Sequence, residues 1–267
     1  MLPSAVQLSL VFIMTLRFPT TPLAALALGA FFLSLPASAA EETPLPKLGP
    51  NAVPITADNA YLRSHDAPDY WAFSPFVKPQ FTTSACSIAA VTAALNGLGG
   101  LPALAEETVT TQPALLEAVN SADWSALSAE GGDGVKFDQL VEFTRAAVNV
   151  TGLHGAEVAP WKPADDSADT LAALKAALTA NEASATDALL IYFNQGVVTG
   201  DWDGPHVSLI GAYDAEADKV LILEVDQEWY IPYWTPTPVL LAALLKPTSA
   251  EHGPLEGETG GLVRIMK

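Results

Sequence analysis

The sequence predicts an α+β fold, with helices gathered in the first half of the chain and an antiparallel sheet in the second. Three observations carry this. Apolar residues recur at helical spacing through much of residues 85–182. The segments "ALLIYFN", "HVSLIGAY" and "KVLILEVD" that follow are short and rich in Val, Ile and Leu, as strands are. The polar turn "DAEAD" joins the last two as a hairpin.

Taken in order, Arg17 precedes the apolar run "PLAALALGAFFLSL" and then "PASAAEET". A basic n-region, an apolar h-region and the A-x-A pattern Ala37-Ser38-Ala39 predict a signal peptide over residues 1–39, with Met14 as a second available start. The run is shorter than the roughly 20 residues of a membrane-spanning helix. Residues 40–75, rich in Pro, Asp and Ala, read as an extended lead-in with one short helical turn rather than a separate domain. Residues 76–267 form the main domain. Its first helix is predicted over 85–97, with Ser84 as N-cap, Gly97, Gly99 and Gly100 closing it, and Ile88, Val91, Leu95 and Leu98 on one buried face. Further helices are predicted over 113–121, opened by Pro113, over 136–148 and over 169–182. Strands follow at 188–194, 206–213 and 219–226, with "QGVVTGDWDGP" as a loop after the first. "PTPVLLAALLKP" reads as a short helix and "GGLVRIM" as the last strand.

Thirty acidic residues against twelve Lys and Arg give a formal charge of −18. That argues against nucleic acid and anionic membrane surfaces as partners. The single cysteine, Cys86, cannot form an internal disulfide. An odd thiol in an exported chain is a buried passenger or a reactive group. Cys86 falls in the first turn of its predicted helix, where free N–H groups and the helix dipole favour a thiolate.

A reactive thiol needs a base, and the base an orienting partner. Of the four histidines, His206 alone stands at the start of an apolar strand. The next strand carries Glu224 and Asp226, whose spacing of two places both on one face. Beside His206, either carboxylate would hold the imidazole and favour its protonated form; alternatively the strand emerges into water and both are hydrated. Gln80 lies six residues before Cys86, and a side-chain amide from that preceding loop can form an oxyanion hole with the Cys86 N–H. Asp201, Asp203 and His206 of "DWDGPH" offer donors for a divalent cation, although Asp-Gly-Pro is also ordinary loop chemistry. Trp229, Tyr230, Tyr233 and Trp234 either wall a cleft or pack at the sheet edge.

The order of Gln80, Cys86, a long helical segment, His206 and the acidic strand resembles the phytochelatin synthase family, a branch of the papain-like cysteine peptidase superfamily. "CSIAAVTAALNGL", "GVKFDQLVEFTRAA" and "HVSLIGAYDAEADKVLILEVDQEWYIPYWTP" are similar to its nucleophile helix, its middle helix and its His strand with the acidic strand that follows. The similarity runs over about residues 76–266. It implies a papain-like fold, in which the nucleophile helix of an N-terminal helical part packs on the C-terminal sheet. It implies Cys86 as nucleophile, His206 as base, Gln80 as oxyanion donor, and Glu224 in the register of the family's catalytic Asp, with Asp226 the competing choice. It further implies cleavage of the Cys–Gly bond of glutathione, or of a related γ-glutamyl peptide, through a thioester. Release to water comes first and transfer to a second glutathione second, as in the short bacterial members. No cofactor is implied; a divalent heavy metal enters only as part of a thiolate substrate. The signal implies a periplasmic or secreted protein without a stable membrane partner. Three departures stand out: Ser87 replaces the usual Gly, which implies an altered approach to the thiol; "FTTSA" lacks the usual acidic and proline residues; and Gln227 replaces an arginine. The rival readings are an exported papain-like peptidase or amidase on other peptides, and a non-catalytic binder of thiol–metal complexes.

Overall fold

A computed structural model describes residues 46–267. The predicted signal peptide lies outside these residues. Among them, strands β1 (Val53–Pro54), β2 (Glu157–Trp161), β3 (Asp187–Asn194), β4 (Pro205–Asp214), β5 (Lys219–Leu223), β6 (Tyr233–Pro236) and β7 (Gly261–Met266) form one sheet in the order β1-β6-β5-β4-β3-β7-β2. Every pairing is antiparallel. The fold is α+β, as the sequence predicts. The predicted 219–226 strand is shorter than expected, because pairing stops at Leu223. Strand β1 lies in the lead-in and β2 ahead of residues 169–182, which the sequence predicts as a helix, so helices and strands are less segregated than expected.

Helices α1 (Ala60–Ser64), α2 (Pro68–Phe73), α3 (Cys86–Gly99), α4 (Gln112–Val119), α5 (Ala122–Leu127) and α6 (Phe137–Val150) precede β2. Helix α7 (Ala168–Glu182) leads into β3, α8 (Gln195–Thr199) occupies part of the expected loop, and α9 (Thr237–Leu245) follows β6. The predicted helices all form, with ends moved by one or two residues. The lead-in is more helical than expected, and Leu62, Ala67 and Phe73 join the same core as α3.

Alternation along β3 shows why its sequence is apolar throughout. Leu190 and Tyr192 face the α3 side, while Leu189, Ile191 and Phe193 face α7 and α9. Both faces are covered, so the strand has no solvent face to mark with polar residues. Helix α3 is likewise buried nearly all round, from Ser87 through Leu95, where its sequence predicts a single buried face. Such a helix lies inside the body rather than on its surface.

Of the glycines expected to close α3, one acts differently from its sequence reading. Gly97 does not end α3; a Cβ there would come within 2.1 Å of the Phe73 ring, so it permits close packing of α2 on α3. Gly100, at φ 75°, takes the C-cap position instead.

Candidate active site

The start of α3 places Cys86 at the floor of a cleft of about 760 Å³. The expected N-cap, Ser84, is not one: its Oγ donates to the Gly132 carbonyl at 2.6 Å, and Ala85 takes the cap position without a side-chain bond. The N–H groups of the first turn therefore have no side-chain cap, and their partial positive charge sits beside the thiol. Cys86 is half-buried. The Ser87 side chain is buried and accepts a 2.9 Å hydrogen bond from Trp124 Nε1, which fixes its hydroxyl against α5.

His206 stands at the start of β4, buried, with its ring edge-on to Phe193 across the β3–β4 pairing. Its Nε2 lies 2.6 Å from Glu224 Oε1. Cys86 is the next neighbour to act on its protonation, so Nδ1 is the ring nitrogen left for the thiol. Burial opposes the imidazolium, but the Glu224 carboxylate and Cys86 outweigh it and raise the pKa well above its ordinary value.

The two carboxylates take separate tasks. Because β5 ends at Leu223, Glu224 and Asp226 do not share a strand face. Glu224 turns fully inward and meets four close donors. They are His206, the Asp226 backbone N–H at 2.7 Å, Tyr233 Oη at 3.0 Å and Gln195 Nε2 at 3.0 Å. Burial opposes its ionisation, yet His206 and these bonds hold its pKa below the ordinary value. Asp226 is partly buried; burial raises its pKa, and its Oδ1 accepts from Gln80 Nε2 at 3.4 Å. The imidazole partner is Glu224, which is fully buried, whereas Asp226 is only partly buried at the edge of the cleft.

Gln80 is tied in through its backbone, whose N–H donates to the Val225 carbonyl at 2.8 Å. Its side-chain nitrogen faces two acceptors, the Thr83 carbonyl at 3.3 Å and Asp226. The five residues singled out from the sequence, Gln80, Cys86, His206, Glu224 and Asp226, fall in one cluster, to which the structure adds Gln195 and Tyr233. Tyr233 belongs to the aromatic group at 229–234, which divides in two. Trp229 and Tyr230 line the cleft, whereas Tyr233 and Trp234 are buried in β6. Gln195 had only one signal, its place directly after an apolar strand.

The "DWDGPH" donors do not converge. Asp201 binds Tyr230 and Thr199, Asp203 accepts from Asn194 at 2.6 Å, and His206 faces Glu224. Among the described residues, no cluster of three or more His, Cys, Asp or Glu side chains is placed to hold a metal ion.

A thiol at an open helix end, beside an imidazole held by a buried carboxylate, is a constellation for acyl transfer. The phytochelatin synthase family model matches residues 55–252. The chain belongs to the phytochelatin synthase family. This is an enzyme family that transfers γ-glutamylcysteinyl groups from glutathione. The match begins earlier than the resemblance read from the sequence, within the segment that carries α1 and α2. No curated protein matches the chain.

Proposed function

We propose that this member of the phytochelatin synthase family cleaves the Cys–Gly bond of glutathione through a thioester on Cys86 and releases it chiefly to water. The observation that carries the reading is the buried 2.6 Å His206–Glu224 pair beside a thiol at the N-terminus of α3. His206 Nδ1 takes the Cys86 proton, and the thiolate attacks the cysteinyl carbonyl carbon. The oxyanion is held by the Cys86 N–H and by Gln80, whose amide exchanges one of its long internal bonds for the substrate oxygen. The imidazolium then protonates the departing glycine nitrogen as the C–N bond breaks. The γ-glutamylcysteinyl thioester remains. Water, giving its proton to His206, attacks that carbonyl, and Cys86 leaves as the thiolate to regenerate the pair. Glu224 stays ionised throughout and keeps Nε2–H oriented.

Hydrolysis over transfer is supported by the charge of the cleft. Among its described lining residues, Glu130, Asp133, Asp201, Asp226 and Glu228 are carboxylates, and Lys47 is the single Lys or Arg. A second glutathione, itself anionic, meets repulsion there, while water does not. Gln227, in place of an arginine, donates to the Glu224 carbonyl at 3.0 Å and brings no charge. The signal-like N-terminus supports an exported enzyme. A divalent metal belongs to this scheme only as part of a thiolate substrate.

The test is mass spectrometry of glutathione incubated with the protein and with Cys86→Ala, with and without a divalent metal. Glycine and γ-glutamylcysteine from the wild type alone are expected. Longer (γ-Glu-Cys)n-Gly products would replace hydrolysis by transfer, and no turnover with a still-alkylatable Cys86 would point to another peptide or amide.

A further inference from the structure

Strand β3 carries a polar group that the scheme above leaves unused. Tyr192 is 2 % exposed, and its Oη has no hydrogen-bond partner among the described residues. It nevertheless lines the cleft with Cys86 and His206 and lies within charge-interaction range of Glu258 and, after it, of Cys86. A buried phenol without a partner is expensive, and fully unpaired groups are few in folded proteins. Packing alone does not need this oxygen. The ring stands edge-on to Phe137 at 6.2 Å, a contact that a phenylalanine would make equally well.

The surroundings show what the hydroxyl faces. Tyr192 pairs with Val207, the residue after His206, and both point to the α3 side of the sheet. Val135 and Leu255, both buried, line the same cleft. Tyr192, Val207, Val135 and Leu255 thus give the cleft an apolar stretch that carries one side-chain polar atom, the pattern by which small-molecule pockets orient a ligand. Burial keeps the phenol protonated, so it presents a donor.

We propose that Tyr192 is a specificity-determining residue whose hydroxyl donates a hydrogen bond to an acceptor oxygen of the acyl group that Cys86 takes from its substrate. The assignment rests on the glutathione reading and names the γ-glutamylcysteinyl group, with its carboxylate and amide oxygens, as that acyl group. A donor placed on the acyl side selects which substrate is attacked without altering the Cys86–His206–Glu224 geometry.

The test compares wild type and Tyr192→Phe by glycine release from glutathione, iodoacetamide alkylation of Cys86 and thermal unfolding. The expected result is a fall in kcat/KM of about 10- to 100-fold, the loss associated with one buried hydrogen bond to a charged or polar acceptor. Alkylation rate and Tm should be kept, or Tm slightly raised. Equal kcat/KM in the two proteins would overturn the role of Tyr192 and leave the glutathione reading standing. An equal fall in alkylation rate would show an effect on the thiol itself and overturn the assignment as well. Absence of glycine release from the wild type would overturn both together.

Discussion

Glu224 has one more methylene than the aspartate the family register expects, and its surroundings absorb the difference. Tyr233, Gln195 and the Asp226 N–H hold the carboxylate while it reaches His206 at 2.6 Å. Glu224→Gln keeps the shape and removes the charge. Under the proposed mechanism, kcat should fall by about 10³- to 10⁴-fold, the scale seen when a triad carboxylate becomes an amide. The pH profile should move as well. Glu224 raises the His206 pKa, so the imidazolium persists above its ordinary range and is lost as pH rises through the raised value. Without that charge, the basic limb of residual activity should shift to lower pH. A basic limb unmoved in this variant would mean that Glu224 does not control His206.

At the scale of elements, α2 and α7 meet through two polar side chains sealed in the interior. Asn181 Nδ2 donates to Asp69 Oδ2, while Asp69 Oδ1 and Asn181 Oδ1 are both buried without a partner. A proton on Asp69 satisfies both oxygens at once, closing a ring of two hydrogen bonds between acid and amide. Burial, with Glu182 and Asp187 adding to it, pushes the Asp69 pKa up from 3.8 to about 9, against the opposing pull of Asn181 and Arg264. The folded state therefore holds a proton that the unfolded state releases. Between pH 3.8 and about 9 this group makes stability fall as pH rises, because the unfolded chain binds fewer protons than the folded one. Asp69→Asn retains both bonds as an amide pair and removes the titration. At pH 8 its Tm should exceed that of the wild type by about 4 °C, the shift that roughly 1–2 kcal/mol produces in a domain of this size. Thermal unfolding across pH 5–9 checks this, and a variant with an unchanged slope would refute the protonated pair.

Over the whole molecule, charge and edges are managed together. The sheet ends in β1 and β2, each with a proline, Pro54 and Pro160, that denies an incoming strand one donor. A formal charge of −18 adds repulsion between copies and extends to the cleft, where the carboxylates outnumber Lys47. For anionic glutathione, kcat/KM should thus rise with salt. Going from about 10 mM to about 150 mM NaCl shortens the screening length from about 30 Å to about 8 Å, and an increase of roughly twofold is expected. Initial rates over this range check it; a falling rate would show that attraction, not repulsion, governs entry.

Much of this protein is determined by short stretches of sequence. Helical spacing and the apolar runs locate the principal helices and strands, since those signals depend on neighbours within a turn or a pleat. The lone Cys86 at a helix start, His206 at a strand start and an acidic residue closing the next strand could be read from order alone. Tertiary structure decided the remainder. Whether Glu224 or Asp226 meets the imidazole depends on where β5 stops pairing, and Ser84 loses the cap of α3 to a carbonyl at Gly132. Gln80 finds Asp226 across 146 positions, and Tyr192 comes to the cleft through sheet pairing. Direction and partner for these side chains come from contacts between distant segments, and a local pattern carries no record of which distant atoms will meet.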